Sequence, residues 1–175
     1  TIWVKFRVTD FDMPDMDRAG EEENVDAGAD VIRTLEKMRS TFMGAYVVIW
    51  TTTPWTIPSN KAVVFGDDIS YGLYEITGRP EECWARIGDR YILADKLAGE
   101  VMRRARLDDG MYRRLSDVTS HQLAAMTPAH PMSASDGGDG EWDDPRDFRA
   151  AYFVTEDART GFVHRAPSHG MEEYE

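Results

Sequence analysis

Residues 50–60 read Trp-Thr-Thr-Thr-Pro-Trp-Thr-Ile-Pro-Ser-Asn and follow directly on the apolar run Ala45-Tyr-Val-Val-Ile. That run is rich in β-branched and aromatic side chains, which predicts a buried central strand. Pro54 cannot donate a ladder hydrogen bond, so the strand must end before it, and Pro58 interrupts the chain again. We therefore predict that 50–60 is irregular chain that emerges from a buried strand.

The segment is dense in neutral polar groups. It carries four threonine hydroxyls, two indoles and one side-chain amide, on Thr51, Thr52, Thr53, Thr56, Trp50, Trp55 and Asn60. Hydroxyls both donate and accept hydrogen bonds, and an aromatic face can stack on a base. The set suits a neutral ligand with a ring, such as a nucleoside. The alternative is a threonine-rich strand end whose hydroxyls cap their own backbone.

A second polar segment, residues 160–175, reads Thr-Gly-Phe-Val-His-Arg-Ala-Pro-Ser-His-Gly-Met-Glu-Glu-Tyr-Glu. The spacing of its two histidines and its acidic residues fits no familiar zinc pattern, so no metal site is predicted. Ser168 beside His169 does not predict a hydrolase dyad, because sequence neighbours rarely face each other. Threonine as a covalent nucleophile also needs an adjacent base, and none lies within 50–60.

The rest of the chain predicts a strand-rich α+β fold with mostly antiparallel strands and peripheral helices. Strands are expected at 1–8, 45–50, 62–65, 71–76, 151–155 and 161–166, and 83–87 should pair with 90–93 in a hairpin through Gly88-Asp89. Helices are expected at 30–42 and 94–106. The acidic stretch 10–30 is expected to be a solvated loop, and the Pro- and Gly-rich stretch 127–147 a surface loop.

Length and composition place limits on the protein. With 175 residues, 42% hydrophobic and 30% charged, a single globular domain is expected over 1–175, and its abrupt ends suggest excision from a longer chain. The single thiol, Cys83, favours a reducing compartment, so a cytoplasmic location is expected. No apolar run approaches the roughly 20 residues of a membrane helix, so no membrane contact is expected.

Together the two polar segments resemble the editing domain of isoleucyl-tRNA synthetases. Thr-Thr-Thr-Pro-Trp-Thr followed by Pro-x-Asn is similar to its threonine-rich peptide, and Thr-Gly-x-Val-His-x-Ala-Pro-x-His-Gly to its second signature. The opening Trp3-Val-Lys-Phe6 also resembles the strand that leads into that domain. The resemblance implies a β-barrel-like insertion of a class I synthetase that hydrolyses valine wrongly joined to isoleucine tRNA.

The resemblance also implies roles for individual residues. Thr51, Thr52, Thr53 and Thr56 would hold the terminal adenosine and the ester, Trp55 would form a wall, His164 would limit the side-chain pocket, and Glu173 would bind the substrate ammonium. Thr52, Asn60 and His164 would orient a water that attacks the ester, with no metal and no cofactor in editing. Glu173 stands where the family has aspartate, and Arg159 where it usually has glycine.

Two other functions remain open from the sequence. One is the editing domain of a valyl- or leucyl-tRNA synthetase. Those domains carry Thr-Thr-Arg-Pro, and in this chain Thr53 stands in place of the arginine. The other is a non-catalytic module that binds a free amino acid or nucleoside. The ATP-site signatures His-x-Gly-His and Lys-Met-Ser-Lys-Ser do not occur, so ATP, magnesium and aminoacylation would belong to the rest of the parent enzyme. The expected partners are that enzyme and the 3′ end of tRNA(Ile) carrying valine, and the fragment itself is expected to be a monomer.

The net charge of −12 predicts weak binding of tRNA by the isolated chain. Phosphate binding usually rests on Lys and Arg patches, and its affinity falls steeply as salt increases. Titration of the chain with tRNA(Ile) at several salt concentrations should therefore give weak binding throughout. A tight complex that dissociates with added salt would contradict this expectation.

Overall fold

A computed structural model describes residues 1–13, 25–133, 142, 146–152, 154 and 160–166. Its strands are β1 Ile2–Phe11, β2 Tyr46–Thr51, β3 Ala62–Phe65, β4 Tyr71–Ile76, β5 Arg90–Ala94, β6 Tyr112–Val118, β7 Met126–Pro128, β8 Asp147–Ala150 and β9 Phe162–Arg165. Its α-helices are α1 Val25–Phe42, α2 Asp95–Arg104 and α3 Ser120–Ala124. A 3₁₀ helix, here called the threonine turn, spans Pro54–Ser59.

The strands form two sheets. The larger has the order β6-β4-β5-β2-β1-β7 and the smaller the order β8-β3-β9. Most neighbours are antiparallel, while β2 with β5 and β3 with β8 are parallel. The predicted strand-rich α+β class is confirmed, and within the described residues both sheets are open.

Strand β2 is buried on both faces, which explains its unbroken apolar sequence. Val47 and Ile49 pack into a core that also holds β3 and β9 residues such as Val63 and Phe162. Val48, between them, packs into a second core beneath α2. Because successive side chains of a strand point to opposite faces, an apolar run rather than an alternating pattern is needed here. The last residue of this rigid strand, Thr51, leads directly to the threonine turn.

The limits of the two loops predicted from composition overlap described strands and a helix. Strand β1 continues to Phe11, and α1 begins at Val25 rather than at 30, so the limits of the acidic loop 10–30 are wrong at both ends. Phe11 extends the strand because it pairs with Met126 and its ring stacks on Phe42, with centroids 5.3 Å apart. The predicted surface loop 127–147 likewise overlaps two strands. Its first residues belong to β7, which is a strand because it pairs with β1, and its last residue is the first of β8.

Two predicted strands are wrong. Residues 83–87 form no strand, because β4 already pairs with β5 on one edge and with β6 on the other. Gly88 and Asp89 do form a turn, but this turn leads into β5, which pairs with β4 and not with residues 83–87. Of the strand expected at 151–155, the described residues 151, 152 and 154 lie in no strand, and the strand found nearby is Asp147–Ala150, where Phe148 is buried and pairs with Val63. None of the described helices is long and apolar enough to cross a membrane.

Helix α2 ends with a backbone conformation that favours glycine. Arg106 has a φ of 61°. Its N–H donates to the Arg103 carbonyl at 3.0 Å, and the Leu107 N–H donates to the Met102 carbonyl at 2.9 Å. These two bonds are the Schellman arrangement, in which the residue after the C-cap is left-handed. Arg106 therefore carries a Cβ where most helices of this kind have none.

Replacing Arg106 with glycine should stabilise the 175-residue chain by about 0.5–1 kcal/mol, because the left-handed conformation costs a residue with a Cβ about 1–2 kcal/mol and added chain entropy offsets part of the gain. Urea denaturation would measure the change. Arg106→Ala is the matched control, since it keeps the Cβ and loses only the exposed ion pair with Glu82. An equal gain in the alanine variant would attribute the effect to charge instead.

Candidate functional site

The threonine turn is held at its start by its own threonines. The Thr53 N–H donates to Thr51 Oγ1 at 3.1 Å, and the Thr56 N–H donates to the Thr53 carbonyl at 3.0 Å. Pro54 stands in the first turn, where its missing N–H leaves no helical bond unmade. The predicted irregular segment is therefore an ordered 3₁₀ turn that begins where the buried strand β2 ends.

The second polar segment reaches the same place through β9. This strand pairs antiparallel with β3, and the pairing sets His164 opposite Val63. The Lys61 N–H donates to the Arg165 carbonyl at 2.9 Å, which extends the pairing to the end of the threonine turn. Two segments more than 100 positions apart in the chain thus lie side by side.

A row of polar side chains joins the two segments. Thr51 Oγ1 lies 3.2 Å from Thr53 Oγ1, and Thr53 Oγ1 lies 3.5 Å from Thr56 Oγ1. Thr56 Oγ1 in turn lies 3.4 Å from His164 Nε2. The last two distances are long for hydrogen bonds, so these contacts are weak. The structure nevertheless brings together four residues that the sequence predicts for one site.

The hydrogen of the Thr56 hydroxyl has a defined acceptor. Thr56 Oγ1 donates to the Thr53 carbonyl at 2.7 Å, and a carbonyl oxygen can only accept. A hydroxyl has one hydrogen, so in this arrangement Thr56 Oγ1 must accept from His164 Nε2. His164 then acts as a donor towards Thr56 and does not draw a proton from it.

The outer surface of the site is formed by the remaining residues of the segment. Thr52 and Thr53 are exposed, whereas Thr51 and Thr56 are buried. Trp55 is 69% exposed, which is unusual for a large aromatic side chain and leaves its indole open to a ligand. The site therefore offers hydroxyls and an aromatic face together.

Asn60 lies beneath this surface and is fully buried, with 0% exposure. Its Nδ2 donates to the Ala62 carbonyl at 2.8 Å and to the Arg165 carbonyl at 3.3 Å. These bonds tie the end of the threonine turn to β9. The described contacts of Asn60 thus support the site from below, and contact with a catalytic water stays a prediction.

The start of β9 is held by a residue that the sequence analysis did not single out. Tyr71 Oη donates to the Gly161 carbonyl at 2.6 Å and accepts from the Gly66 N–H at 3.0 Å. Burial raises the pKa of the Tyr71 phenol to about 12, so it remains a donor at neutral pH. A tyrosine at the start of a predicted strand gives no sign of this role in the sequence.

A second residue missed from the sequence contacts the far end of the threonine turn. His130 is buried, with 1% exposure, and its Nε2 lies 2.7 Å from the carbonyl oxygen of Ile57. The indole of Trp142 donates to the neighbouring Pro58 carbonyl at 3.0 Å. A lone histidine within a predicted surface loop carries no motif, so no signal in the sequence indicated this contact.

One predicted site residue, Glu173, which is expected to bind the ammonium, lies outside the described residues. Its role stays a prediction. Arg159, Ser168 and His169, which the sequence analysis also discussed, lie outside them too. In the described part of the chain, no group of three or more His, Cys, Asp or Glu side chains is placed to hold a metal ion.

Comparison with known proteins identifies the relatives of this chain. It is 59% identical over 175 residues to the isoleucine–tRNA ligase of Ruegeria pomeroyi and 38% identical over 183 residues to that of Rhodopseudomonas palustris. Both alignments cover 100% of the chain. The chain belongs to the isoleucine–tRNA ligase family. It spans only 15% and 14% of the length of these two relatives, and no family model matches it.

The fold is that of a synthetase editing domain. The domain named GlLeuRS-CP1 superposes with a TM-score of 0.60 over 99% of the chain and 57% of its own length, at 14% identity. The Plasmodium falciparum cytosolic leucyl-tRNA synthetase editing domain gives 0.59 over 98% of the chain and 63% of its own length, at 8% identity. The predicted isoleucine family is confirmed by the sequence comparison, and the predicted editing-domain fold is confirmed by the superpositions.

Gly161, at the start of β9, should not tolerate a side chain. Its φ is 78°, and an added Cβ would lie 2.5 Å from the Cβ of Ala94 and 3.1 Å from Cε1 of Tyr71. Gly161→Ala should destabilise the chain by about 2–4 kcal/mol, from left-handed strain and overpacking together. Urea denaturation would measure the loss.

Gly99→Ala is the matched control for this substitution. Gly99 lies within α2, and an added Cβ there meets only Arg103 Nη1, at 3.6 Å. Alanine should stabilise the helix at that position by about 0.5–1 kcal/mol. If Gly161→Ala proved as harmless as Gly99→Ala, the close packing of the start of β9 would be disproved.

Proposed function

We propose that this domain hydrolyses the ester that joins valine to tRNA(Ile), as the editing domain of an isoleucine–tRNA ligase. The observation that carries the proposal is the meeting of Thr56 with His164, which unites the two family signatures in one hydroxyl-rich site. The 59% identity to an isoleucine enzyme, against 8–14% with the leucyl domains of the same fold, favours this member among the synthetases.

The need for a separate hydrolytic site is physical. Isoleucine and valine differ by one methylene, which is worth only about 1–3 kcal/mol of discrimination, and isoleucine enzymes are the familiar example of this limit. A second site that admits valine and excludes isoleucine multiplies the selectivity of the first. We assign the exclusion to His164, which is half-buried behind the threonines.

The exposed residues suit the 3′ end of a tRNA. The indole of Trp55 would stack on the terminal adenine, because stacking on an aromatic face requires no charge. The exposed hydroxyls of Thr52 and Thr53 would bind the ribose and the ester carbonyl. Glu173, the predicted partner of the substrate ammonium, would complete the set with the only negative charge among these groups.

We propose direct attack by water on the ester carbonyl carbon. The water oxygen bonds to that carbon, the bond from the carbon to the ribose oxygen breaks, and a proton of the water passes to the ribose oxygen, which releases valine and the intact tRNA. No protein nucleophile is needed. The hydrogen bond from Thr56 to the Thr53 carbonyl supports this mechanism, because it leaves His164 a donor rather than a base towards the threonine.

The remaining residues would orient the water. Thr52 carries an exposed hydroxyl at the surface of the site, and the ribose hydroxyl next to the ester would be its counterpart on the substrate. The buried Asn60 would contribute indirectly, because its hydrogen bonds to the carbonyls of Ala62 and Arg165 fix the backbone beneath the site. The proposed mechanism keeps the expectation from the sequence that editing uses no metal or cofactor, and ATP would serve only the synthetic part of the parent enzyme.

Single substitutions in a full-length ligase that contains this chain would test the proposal. Thr52→Ala, Asn60→Ala and His164→Ala should each slow deacylation of Val-tRNA(Ile) by about 10- to 100-fold, the usual scale for one lost orienting or electrostatic contact. Aminoacylation with isoleucine should be unchanged. Single-turnover deacylation of Val-tRNA(Ile) and of Ile-tRNA(Ile) would measure the rates, and the valyl ester should be hydrolysed faster.

Thr34→Ala and His121→Ala provide controls of the same residue types, since both residues are exposed on helices away from the site. They should leave deacylation unchanged. Wild-type rates in all three site variants would contradict the assignment. Binding of valine or adenosine without any deacylation by the parental ligase would favour a non-catalytic binding module instead.

A further inference from the structure

The threonine turn depends on contacts from outside itself. Pro54 and Pro58 have no backbone N–H, so two of its six residues cannot donate to a neighbouring carbonyl. At its far end, the Ile57 carbonyl accepts both the Asn60 N–H at 2.9 Å and His130 Nε2 at 2.7 Å. The shorter of these two bonds therefore comes from a side chain more than 70 positions away.

His130 is itself held in one orientation. The Met132 N–H donates to its Nδ1 at 3.2 Å, and its ring stacks on Trp142 with centroids 5.9 Å apart and planes 10° apart. Since the Ile57 carbonyl can only accept, Nε2 must carry the hydrogen, and since Nδ1 accepts, it carries none. The ring is the neutral Nε2–H tautomer, and both of its nitrogens have partners.

The backbone of His130 lies two residues beyond the end of β7, at the border of the larger sheet. His130 follows β7, which pairs with β1, and the preceding Ala129 N–H donates to the Arg7 carbonyl at 2.8 Å. On the other side, the threonine turn carries Thr56, whose Oγ1 meets His164 on the smaller sheet. The bond from His130 to Ile57 is thus a direct link between the larger sheet and the residue next to Thr56.

We propose that His130 is a positioning residue for the editing reaction. Its Nε2–H holds the Ile57 carbonyl and so sets the place of Thr56 beside His164, while Trp142 holds the ring of His130 and the next carbonyl, that of Pro58. His130 makes no contact with the substrate in this account. The inference rests on the proposed function, because its effect is read in the deacylation rate.

The test uses the full-length ligase with His130→Ala and His130→Gln. His130→Ala should lower kcat for Val-tRNA(Ile) deacylation about tenfold, because displacements of about 1 Å at a reacting centre reduce rates on this scale or more. The KM should stay within about threefold of the parental value, since the exposed groups that would bind tRNA remain. His130→Gln should recover most of kcat, because its side-chain amide can donate to Ile57.

A double-mutant cycle separates positioning from general stability. If His130 acts through Thr56, the His130→Ala substitution should cost less than about twofold in kcat when made in a Thr56→Ala background. A purely structural role would give the same loss in both backgrounds. His121→Ala, an exposed histidine outside these contacts, is the control and should leave kcat unchanged in both.

Three results would overturn the inference: a parental kcat in His130→Ala, a glutamine variant as slow as the alanine variant, or equal losses in the two backgrounds. Should His130→Ala fail to fold, Trp142→Phe takes its place. It keeps an aromatic ring against His130, although a smaller one, and it loses the indole N–H that bonds the Pro58 carbonyl. It should lower kcat by about twofold or more, the scale of one neutral hydrogen bond; an unchanged kcat would overturn the inference. Absence of deacylation in the parental ligase would instead contradict the proposed function.

Discussion

Strand β9 pairs with β3 over four residues, and the arrangement of the candidate site depends on this pairing. The threonine turn comes from the end of β2 and His164 comes from β9, so only the register between β3 and β9 decides which side chain faces Thr56. A shift of one residue would turn His164 to the opposite face and present Val163 or Arg165 in its place. Asn60 and the Lys61 backbone secure that register at one end, and Tyr71 secures it at the other.

The strands that flank the site could be predicted because their side chains are apolar. Strands β2, β3, β4 and β9 are buried on at least one face, and an apolar sequence indicates burial. Strand β6 was missed for the opposite reason. Its sequence Tyr-Arg-Arg-Leu-Ser-Asp-Val is mostly exposed, and it becomes a strand through its pairing with β4.

The same contrast holds within the site. Thr51, Thr53, Thr56 and His164 were predicted from contiguous signatures, and the structure brings them together. His130 and Tyr71 act through single hydrogen bonds to backbone carbonyls, Ile57 and Gly161. Every residue has a backbone carbonyl, so such a bond depends on the path of the backbone and not on the type of the accepting residue. No sequence pattern therefore accompanies it. Residues that support a site are therefore harder to predict than those that line it.

Among the described strands, β9 has β3 as its only partner, and it forms one edge of the smaller sheet. Edge strands with few neighbours open locally at a lower free-energy cost than strands inside a larger sheet. The backbone amides of β9 should accordingly exchange with solvent deuterium sooner than those of β2 and β5. Warming would then detach His164 from the threonines while the six-stranded sheet is still folded, so that the candidate site would lose its arrangement before the protein as a whole unfolds.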